Sequence, residues 1–154
     1  MPGKKIIHES DRSFRLIGIA TAMKNYTLCF RLNEILQLEF SRQADHEIVQ
    51  KEKTLKTTFA VFGAEHPLLQ TEFFLFSNKQ GQEALLPEAA MFDFLLKISG
   101  SYKDTKALVA AIKKMEDVLA VTEIPAKTIR QVDRLLYEIP KEATARLPRK
   151  KIRP

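Results

Sequence analysis

The 154-residue sequence predicts a single α+β domain, with a largely antiparallel sheet and helices packed on one of its faces. Several strand-like segments are joined by short links, which favours antiparallel neighbours. Other segments repeat apolar residues at the spacing of an amphipathic helix. Between Phe92 and Ile124, a strand, a helix and a strand follow one another within the length of a parallel crossover unit.

The N-terminal part of the domain is predicted to begin with a strand over residues 14–21, where apolar and β-branched types are frequent. A helix should follow from Tyr26, with Asn25 as its N-cap. Its apolar residues at helical spacing are Leu28, Cys29, Leu32, Ile35 and Leu36. Residues 41–53 are highly polar, so a loop or a weakly anchored helix is expected there.

Three more strands are predicted, over residues 57–62, 70–77 and 92–98, with turns between them. In the third strand, the two-residue period places four apolar side chains on one face: Phe92, Phe94, Leu96 and Ile98. This face is expected to carry the core of one amphipathic sheet. Each fully buried side chain of this kind contributes about 1.5–3 kcal/mol.

The C-terminal part of the domain predicts a helix capped by Asp104 and then a strand over residues 118–124. With the strand at 92–98, this arrangement resembles half of a ferredoxin-like or ACT-like unit, which is an analogy of fold alone. Pro125 is expected in the first turn of a last helix that ends at Pro140. The apolar face of that helix would be Ile129, Val132, Leu135 and Leu136.

Charge is concentrated at the C-terminus. The whole chain has a net charge of +6, and residues 141–154 alone hold six basic groups and one acidic group. Such a block, interrupted by prolines, cannot bury apolar surface and should be extended or disordered by itself. We therefore divide the chain into an N-terminal segment (1–13), one α+β domain (14–138) and a basic flexible tail (139–154).

The tail is the best candidate for contact with a polyanion. Its candidate binding residues are Arg146, Arg149, Lys150, Lys151 and Arg153. Clustered cations bind phosphates without reading the base sequence, so RNA or the ribosome is a candidate partner. The tail contains no Phe or Tyr on which bases would stack. The alternative is a solvated tail that serves solubility alone.

The sequence favours neither a metal site nor a cofactor site. His8, His46 and His66 lie too far apart for zinc-ligand spacing, and the five glycines form no phosphate-binding loop. The single cysteine, Cys29, excludes an internal disulfide and fits a core position on its helix. Without an apolar run for a membrane span or a secretory signal, the chain is expected to be cytoplasmic.

Glu88 and Asp93 form the obvious pair of acids in the chain. General acid–base catalysis requires two carboxyl groups that converge on one substrate. Pro87 instead places Glu88 at a turn, and Asp93 is expected opposite the face of Phe92 and Phe94. We therefore expect Glu88 to accept backbone hydrogen bonds at the turn and Asp93 to pair with a neighbouring strand.

The segment around these acids, residues 86–94, resembles the name-giving motif of the bacterial IPExxxVDY family. Pro87, Glu88 and Asp93 match the motif, and three apolar or aromatic residues replace its Ile, Val and Tyr: Leu86, Phe92 and Phe94. Residues 24–33 are also similar to a Lys-Asp-Tyr-Arg-Leu-Cys-Trp segment of that family. The resemblance covers residues 14 to about 124 and implies no activity, because none is assigned to the family.

These observations favour a non-enzymatic binding or adaptor domain that acts through an unidentified macromolecular partner, without a cofactor. One alternative is an RNA- or ribosome-associated protein that uses the basic tail. A second alternative is a small-molecule regulatory module of ACT type. The sequence does not determine the oligomeric state.

Overall fold

A computed structural model describes residues 13–50 and 55–137 of the protein. It confirms the predicted fold class, a single α+β domain with a mainly antiparallel sheet and packed helices. The predictions for the N-terminal segment and for the basic tail lie outside the described residues. Within those residues, no helix has the length and apolar character that crossing a membrane requires.

Two helices and ten strands make up the described fold. In chain order they are β1 (Phe14–Thr21), α1 (Asn25–Leu36), β2 (Ser41–Arg42), β3 (His46–Gln50), β4 (Leu55–Phe59), β5 (Val61–His66), β6 (Thr71–Ser77), β7 (Lys79–Gln80), β8 (Glu83–Ala84), β9 (Phe94–Ser99), α2 (Thr105–Lys113) and β10 (Val118–Ile124). Short 3-10 turns occupy Pro87–Ala89, Ala126–Thr128 and Val132–Leu135.

The main sheet has six strands in the order β10-β1-β9-β6-β5-β2, and each strand runs antiparallel to its neighbours. Strands β9 and β10 therefore run parallel to each other, with β1 between them and α2 as their connection. The four strands β10-β1-β9-β6, with α1 and α2, have the order of a ferredoxin-like unit. The strand–helix–strand crossover predicted from the sequence is present.

One face of the sheet is covered by the two helices, and we call it the helix face. Its buried side chains come from α1, α2 and alternate residues of the central strands, among them Ile17, Ile19, Leu28, Cys29, Leu32, Phe73, Leu75, Phe94, Leu96, Ile98, Leu108 and Ile112. The predicted two-residue alternation of β9 is therefore confirmed for Phe94, Leu96 and Ile98. Asn25 is the first residue of α1 rather than its N-cap, and Lys24 occupies the cap position without a side-chain bond.

The opposite face of the sheet is buried as well, so the expectation of an amphipathic sheet is wrong. We call it the strap face, because residues 126–137, the strap, run across it. Its core includes Phe14, Leu16, Phe59, Val61, Phe74, Phe76, Leu85, Leu86, Phe92, Leu95, Ile129, Val132, Leu135 and Tyr137. Phe92 was expected beside Phe94, but it precedes β9 and packs on this face instead.

The described part of the polar region at residues 41–53 contains strands, at 41–42 and 46–50, rather than a loop or helix. Residues of β3 pair with β4, and Lys56 Nζ lies 3.0 Å from Glu47 Oε1 across that hairpin. The side chains of His46 and Ile48 pack inward on the strap face and anchor this strand. The strand predicted over residues 57–62 is divided at Ala60 between β4 and β5, which belong to different sheets.

The predicted last helix is also wrong, because the strap contains two separate 3-10 turns. Ile129 interrupts them with extended backbone, at φ −81° and ψ 121°. Its side chain is nevertheless buried, as are those of Val132 and Leu135. Three of the four predicted apolar residues were thus correctly assigned to the core, whereas Leu136 is only partly buried. Hydrogen bonds to distant side chains replace those of a helix.

Candidate functional site

Residues 86–93, the motif loop, are held in place by one buried side chain, that of Asn78. Its Nδ2 donates to the carbonyl oxygens of Ala89 at 2.9 Å and of Phe92 at 2.8 Å. Its Oδ1 accepts from the amide of Leu86 at 2.9 Å. Asn78 is fully buried, so these bonds satisfy groups that have no access to water. The asparagine therefore fixes both ends of the loop.

Pro87 and Glu88 begin the 3-10 turn inside the motif loop. Proline suits this position because its φ is fixed and its missing N–H would have no partner there. The Oε1 atom of Glu88 accepts from the amide of Arg130 at 2.9 Å and from that of Gln131 at 3.4 Å. Glu88 thus joins the motif loop to the strap.

Asp93 joins the end of the motif loop to two other elements. Its Oδ2 accepts from the amide of Thr21 at 2.8 Å, at the end of β1. Its Oδ1 lies 3.2 Å from the Nζ of Lys79 in β7. The carboxyl groups of Glu88 and Asp93 are therefore bonded to different parts of the fold, and each holds backbone.

Phe92 and Gly18 form a close contact on the strap face. A Cβ added at Gly18 would lie 2.6 Å from the ring of Phe92, so only glycine allows the ring to rest directly on β1. This contact fixes the position of the aromatic ring at the end of the motif loop. Phe94, two residues later, lies on the other face of the sheet.

A pocket of about 160 Å³ opens between the motif loop, the end of β10 and the start of the strap. Its lining residues are Leu86, Glu88, Ala89, Met91, Phe92, Ile124, Thr128 and Ile129. The volume is smaller than the roughly 300–1,000 Å³ of typical small-molecule sites. It is close to the about 150 Å³ of an apolar cavity that holds a benzene ring. The pocket thus suits one large apolar group.

Polar atoms lie only at the margin of this pocket. Thr128 Oγ1 donates to the carbonyl of Pro125 at 2.7 Å, and the Glu88 side chain is exposed. The side chain of Met91, which also lines the pocket, is 68% exposed. The lining residues of the pocket can hold an apolar group, and they include no Cys, Ser or Lys side chain that could act as a nucleophile.

Buried Lys97 anchors the second 3-10 turn of the strap. Its Nζ donates to the carbonyl of Leu135 at 2.7 Å and lies 5.2 Å from the ring centroid of Phe14. The residue is only 9% exposed, so the ammonium depends on these contacts. Arg134 adds a further attachment, because its Nη1 donates to the carbonyl of Leu85 at 3.1 Å.

The end of the strap packs among aromatic rings. His46 Nε2 donates to the carbonyl of Arg134 at 2.6 Å. Tyr137 packs against the rings of His46, Phe74 and Phe76, and its hydroxyl donates to the carbonyl of Ala44. The chain is therefore fixed as far as Tyr137, a few residues before the basic tail begins.

Cys29, His46 and His66 are placed as structural residues, and His8 lies outside the described residues. Burial raises the pKa of the Cys29 thiol far above its usual range, although the nearby Arg42 guanidinium opposes that shift. His66 Nδ1 accepts from the amides of Leu68 and Leu69, each at 3.3 Å, at the tip of the β5–β6 hairpin. Within residues 13–50 and 55–137, no three His, Cys, Asp or Glu side chains are grouped to hold a metal ion.

The structure brings together only part of the candidate set from the sequence. Pro87, Glu88 and Asp93 lie in one loop, whereas the five tail cations fall outside the described residues. Sequence reasoning missed Asn78, which was assigned to a turn because asparagine favours turns. It also missed Lys97, whose signal was a single charge within the otherwise apolar strand β9.

Comparison of the chain with models of protein families, with curated proteins and with solved structures found no match. The resemblance to the IPExxxVDY family therefore stays a prediction. Functional inference for this protein depends on the geometry of its own residues.

Proposed function

We propose that this protein is a non-enzymatic binding domain whose pocket beside the motif loop receives one large apolar side chain of a partner protein. The pocket itself is the observation that carries this proposal. Six of its eight lining residues are apolar, and its volume of about 160 Å³ suits a single ring or branched side chain. A single anchor in a pocket is a common basis of protein–protein affinity.

The walls of the pocket are held before any partner arrives. The carbonyls of Ala89 and Phe92 are bonded by Asn78, and the ring of Phe92 rests on Gly18. A site formed in advance loses less conformational entropy on binding than a site that must be ordered. This rigidity favours a docking role for the motif loop.

The charge at the margin of the pocket favours a cation next to the anchor. Glu88 Oε1 accepts from two strap amides, while its Oε2 accepts no bond from the described residues. That second oxygen is free to pair with an Arg or Lys side chain. The expected partner segment therefore combines one large apolar residue with an adjacent basic residue.

The roles of the two motif acids also favour binding over catalysis. Glu88 holds the strap, and Asp93 holds the end of β1 and pairs with Lys79. Catalytic carboxyl groups instead converge on one reacting bond. We accordingly propose a cytoplasmic adaptor protein rather than an enzyme.

Binding is tested by NMR titration with three capped dipeptide amides: Ac-Phe-Arg, Ac-Phe-Glu and Ac-Ser-Arg. We expect Ac-Phe-Arg to shift the amide signals of Met91, Thr128 and Ile129 with millimolar affinity, and the other two to bind more weakly. Thr128→Phe should fill the pocket and abolish the shifts. Lys127→Phe is the matched control, because it places the same ring on the same turn, and Lys127 does not line the pocket.

The pocket proposal fails if Ac-Phe-Arg leaves those signals unchanged, or if Thr128→Phe binds it as the unmodified protein does. In cells, a photocrosslinker in place of Met91 should capture one protein partner. The Thr128→Phe change should remove that product, and Lys127→Phe should not.

A second candidate function is RNA or ribosome association through the basic tail. It is favoured by the charge of residues 141–154 and by the fixed position of Tyr137, from which the tail would extend to a polyanion. With roughly six phosphate contacts, affinity for a single strand should fall with salt at a log–log slope near −4. Unchanged RNA affinity after deletion of residues 141–154 would exclude this function.

A small-molecule regulatory module of ACT type is the third candidate. The strand order β10-β1-β9-β6 favours it, but fold alone does not imply function. The pocket is also below the usual volume of a small-molecule site. Thermal shifts across amino acids and nucleotides would test this candidate, and a uniform lack of stabilisation would reject it.

A further inference from the structure

The main sheet ends in two very different edge strands. On one side, β2 has only two residues, Ser41 and Arg42, and the exposed Arg42 guanidinium is paired with Asp45. On the other side, β10 has seven residues, and no strand within residues 13–50 or 55–137 lies beyond it. Monomeric proteins generally shorten or charge their edge strands, as β2 shows, because a long free edge pairs with other strands.

Hydrogen bonds of β1 reveal which backbone groups of β10 face outward. The carbonyl of Ile19 accepts from the amide of Asp93 at 2.9 Å, and the amide of Thr21 donates to the Asp93 side chain. Both groups therefore point away from β10. Since backbone groups of consecutive strand residues point to opposite sides, Gly18 and Ala20 point toward β10.

The register of β1 and β10 completes this assignment. Gly18 is opposite Thr122 and Ala20 is opposite Ala120, so those two residues of β10 bond to β1. The residues between and beyond them, Val121 and Glu123, direct their N–H and C=O groups away from β1. These groups form a row of donors and acceptors that another β-strand would satisfy.

The side chains of β10 do little to protect this edge. Its one charged residue, Glu123, is paired with Arg15, whose Nη1 lies 3.0 Å from the Glu123 carboxylate. No proline lies within the strand, and Leu119 is 82% exposed. A register shift between Ala20 and Thr21 leaves Leu119 without a partner in β1, so the regular part of the edge is residues 120–124.

We propose that β10 pairs antiparallel with β10 of a second copy of this chain, so that two sheets join into one. A two-fold axis at Val121 would place Ala120 opposite Thr122 of the second copy and Leu119 opposite Glu123. Small side chains thus face each other next to the axis, and no two like charges meet. Such self-complementarity selects a second copy over a charged strand of another protein.

Sedimentation equilibrium of the full chain tests this pairing. We expect a reversible dimer at micromolar to millimolar concentrations. Glu123→Pro should yield a folded monomer, because it removes an outward N–H at an edge position, where proline is tolerated. Glu123→Ala is the matched control: it removes the ion pair with Arg15 but keeps the N–H, and it should remain a dimer.

A disulfide test does not depend on the proline variant and also checks the register. In a Cys29→Ser background, Ala120→Cys combined with Thr122→Cys should give a covalent dimer on mild oxidation. Residues 120 and 122 of the two copies would form a non-hydrogen-bonded pair. In such a pair the Cα atoms are about 4.5 Å apart, which is within the range of a disulfide. Ala120→Cys alone should not link, since residue 120 would face residue 122.

The pairing is wrong if the unmodified chain stays monomeric at all of these concentrations, or if folded Glu123→Pro dimerises as well as Glu123→Ala. Failure of the double-cysteine variant to link would equally overturn it, even where a dimer is present. Since β10 pairing goes beyond pocket binding, the peptide titration on monomeric Glu123→Pro would still report on the pocket by itself.

Discussion

The two faces of the main sheet are buried by different means. The helix face is covered by α1 and α2, whose buried residues repeat at helical spacing and make mainly apolar contacts. The strap face is covered by the motif loop and the strap, which contain only short 3-10 turns. There, side chains such as Asn78, Glu88 and Lys97 bond distant backbone groups.

Irregular chain can cover a sheet only when its backbone groups are hydrogen-bonded to other parts of the molecule. A helix satisfies its own N–H and C=O groups, whereas the strap needs partners from other parts of the chain. Damage to the helix face should therefore act through lost burial. Damage to the strap face should act through unsatisfied polar groups and steric overlap, and five predictions test this distinction.

Phe94→Asp should have the largest effect, because it places a carboxylate among the apolar side chains of the helix face. We expect a loss of more than about 4 kcal/mol in the free energy of unfolding, enough to prevent soluble folding. Soluble expression and dispersion of NMR signals measure the outcome. Phe94→Leu is the control. If Phe94→Asp folds cooperatively and gives a well-dispersed NMR spectrum, Phe94 is not part of the core on the helix face.

Asn78→Ala should have the next largest effect, on the strap face. It leaves the carbonyl of Phe92 and the amide of Leu86 without a partner, at about 1–3 kcal/mol for each unsatisfied group, whereas the carbonyl of Ala89 still accepts from the amide of Phe92. Urea unfolding should show a loss of at least about 2 kcal/mol in total. The exposed neighbour Lys79, changed to Ala, should cost much less; equal losses would argue against the role of Asn78.

Gly18→Ala should cost about 1–3 kcal/mol, because the added Cβ overlaps the Phe92 ring. A smaller side chain at position 92 should relieve that overlap. We therefore expect Gly18→Ala combined with Phe92→Leu to be more stable than the sum of the single changes predicts. Strict additivity in a double-mutant cycle would show that the two residues do not compete for the same space.

Cys29 on the helix face gives a prediction for alkaline pH. Burial raises its pKa in the folded state, so the folded chain retains this proton more strongly than the unfolded chain does. The resulting stability is fully present below the thiol's ordinary pKa, near 8.5, and falls above it by about 1.4 kcal/mol per pH unit. Urea unfolding at several pH values should show this fall relative to Cys29→Ala, and parallel profiles would contradict it.

Glu88→Gln should have the smallest effect, about 0.5–1.5 kcal/mol, because the amide oxygen can still accept from the strap. The change weakens the hydrogen bond by removing its charge. Hydrogen exchange at the amides of Arg130 and Gln131 should accelerate, while exchange in α1 stays unchanged. Unaltered protection of the strap would show that the contact with Glu88 does not hold it.

The sequence predicted the helix face of the sheet better than the strap face. The alternation in β9 correctly placed Phe94, Leu96 and Ile98, because periodicity reports burial on one side. The same period misplaced Phe92, which lies before the strand and turns over Gly18. No local pattern reveals that a distant glycine makes room for a ring.

The pocket could not be predicted from the sequence. Its walls come from the motif loop, Ile124 and Ile129, which meet only after the strap folds back over the sheet. Ile129 was recognised as a core residue, but it was assigned to a helix because its spacing from Val132 and Leu135 is compatible with one. Hydrogen bonds from Glu88 and Lys97, each more than thirty residues away in the sequence, hold the strap in a non-helical conformation instead.

Local patterns in the sequence were sufficient to predict the α+β class, both helices, the crossover between β9 and β10, and most of the core. Those features depend on periodic burial, which neighbouring residues record. Three features emerged only from the folded chain: burial of the sheet on both faces, 3-10 turns in place of a helix in the strap, and β10 as the last strand of the sheet among residues 13–50 and 55–137. These features depend on hydrogen-bond partners of irregular chain and of strand edges, which come from remote parts of the molecule.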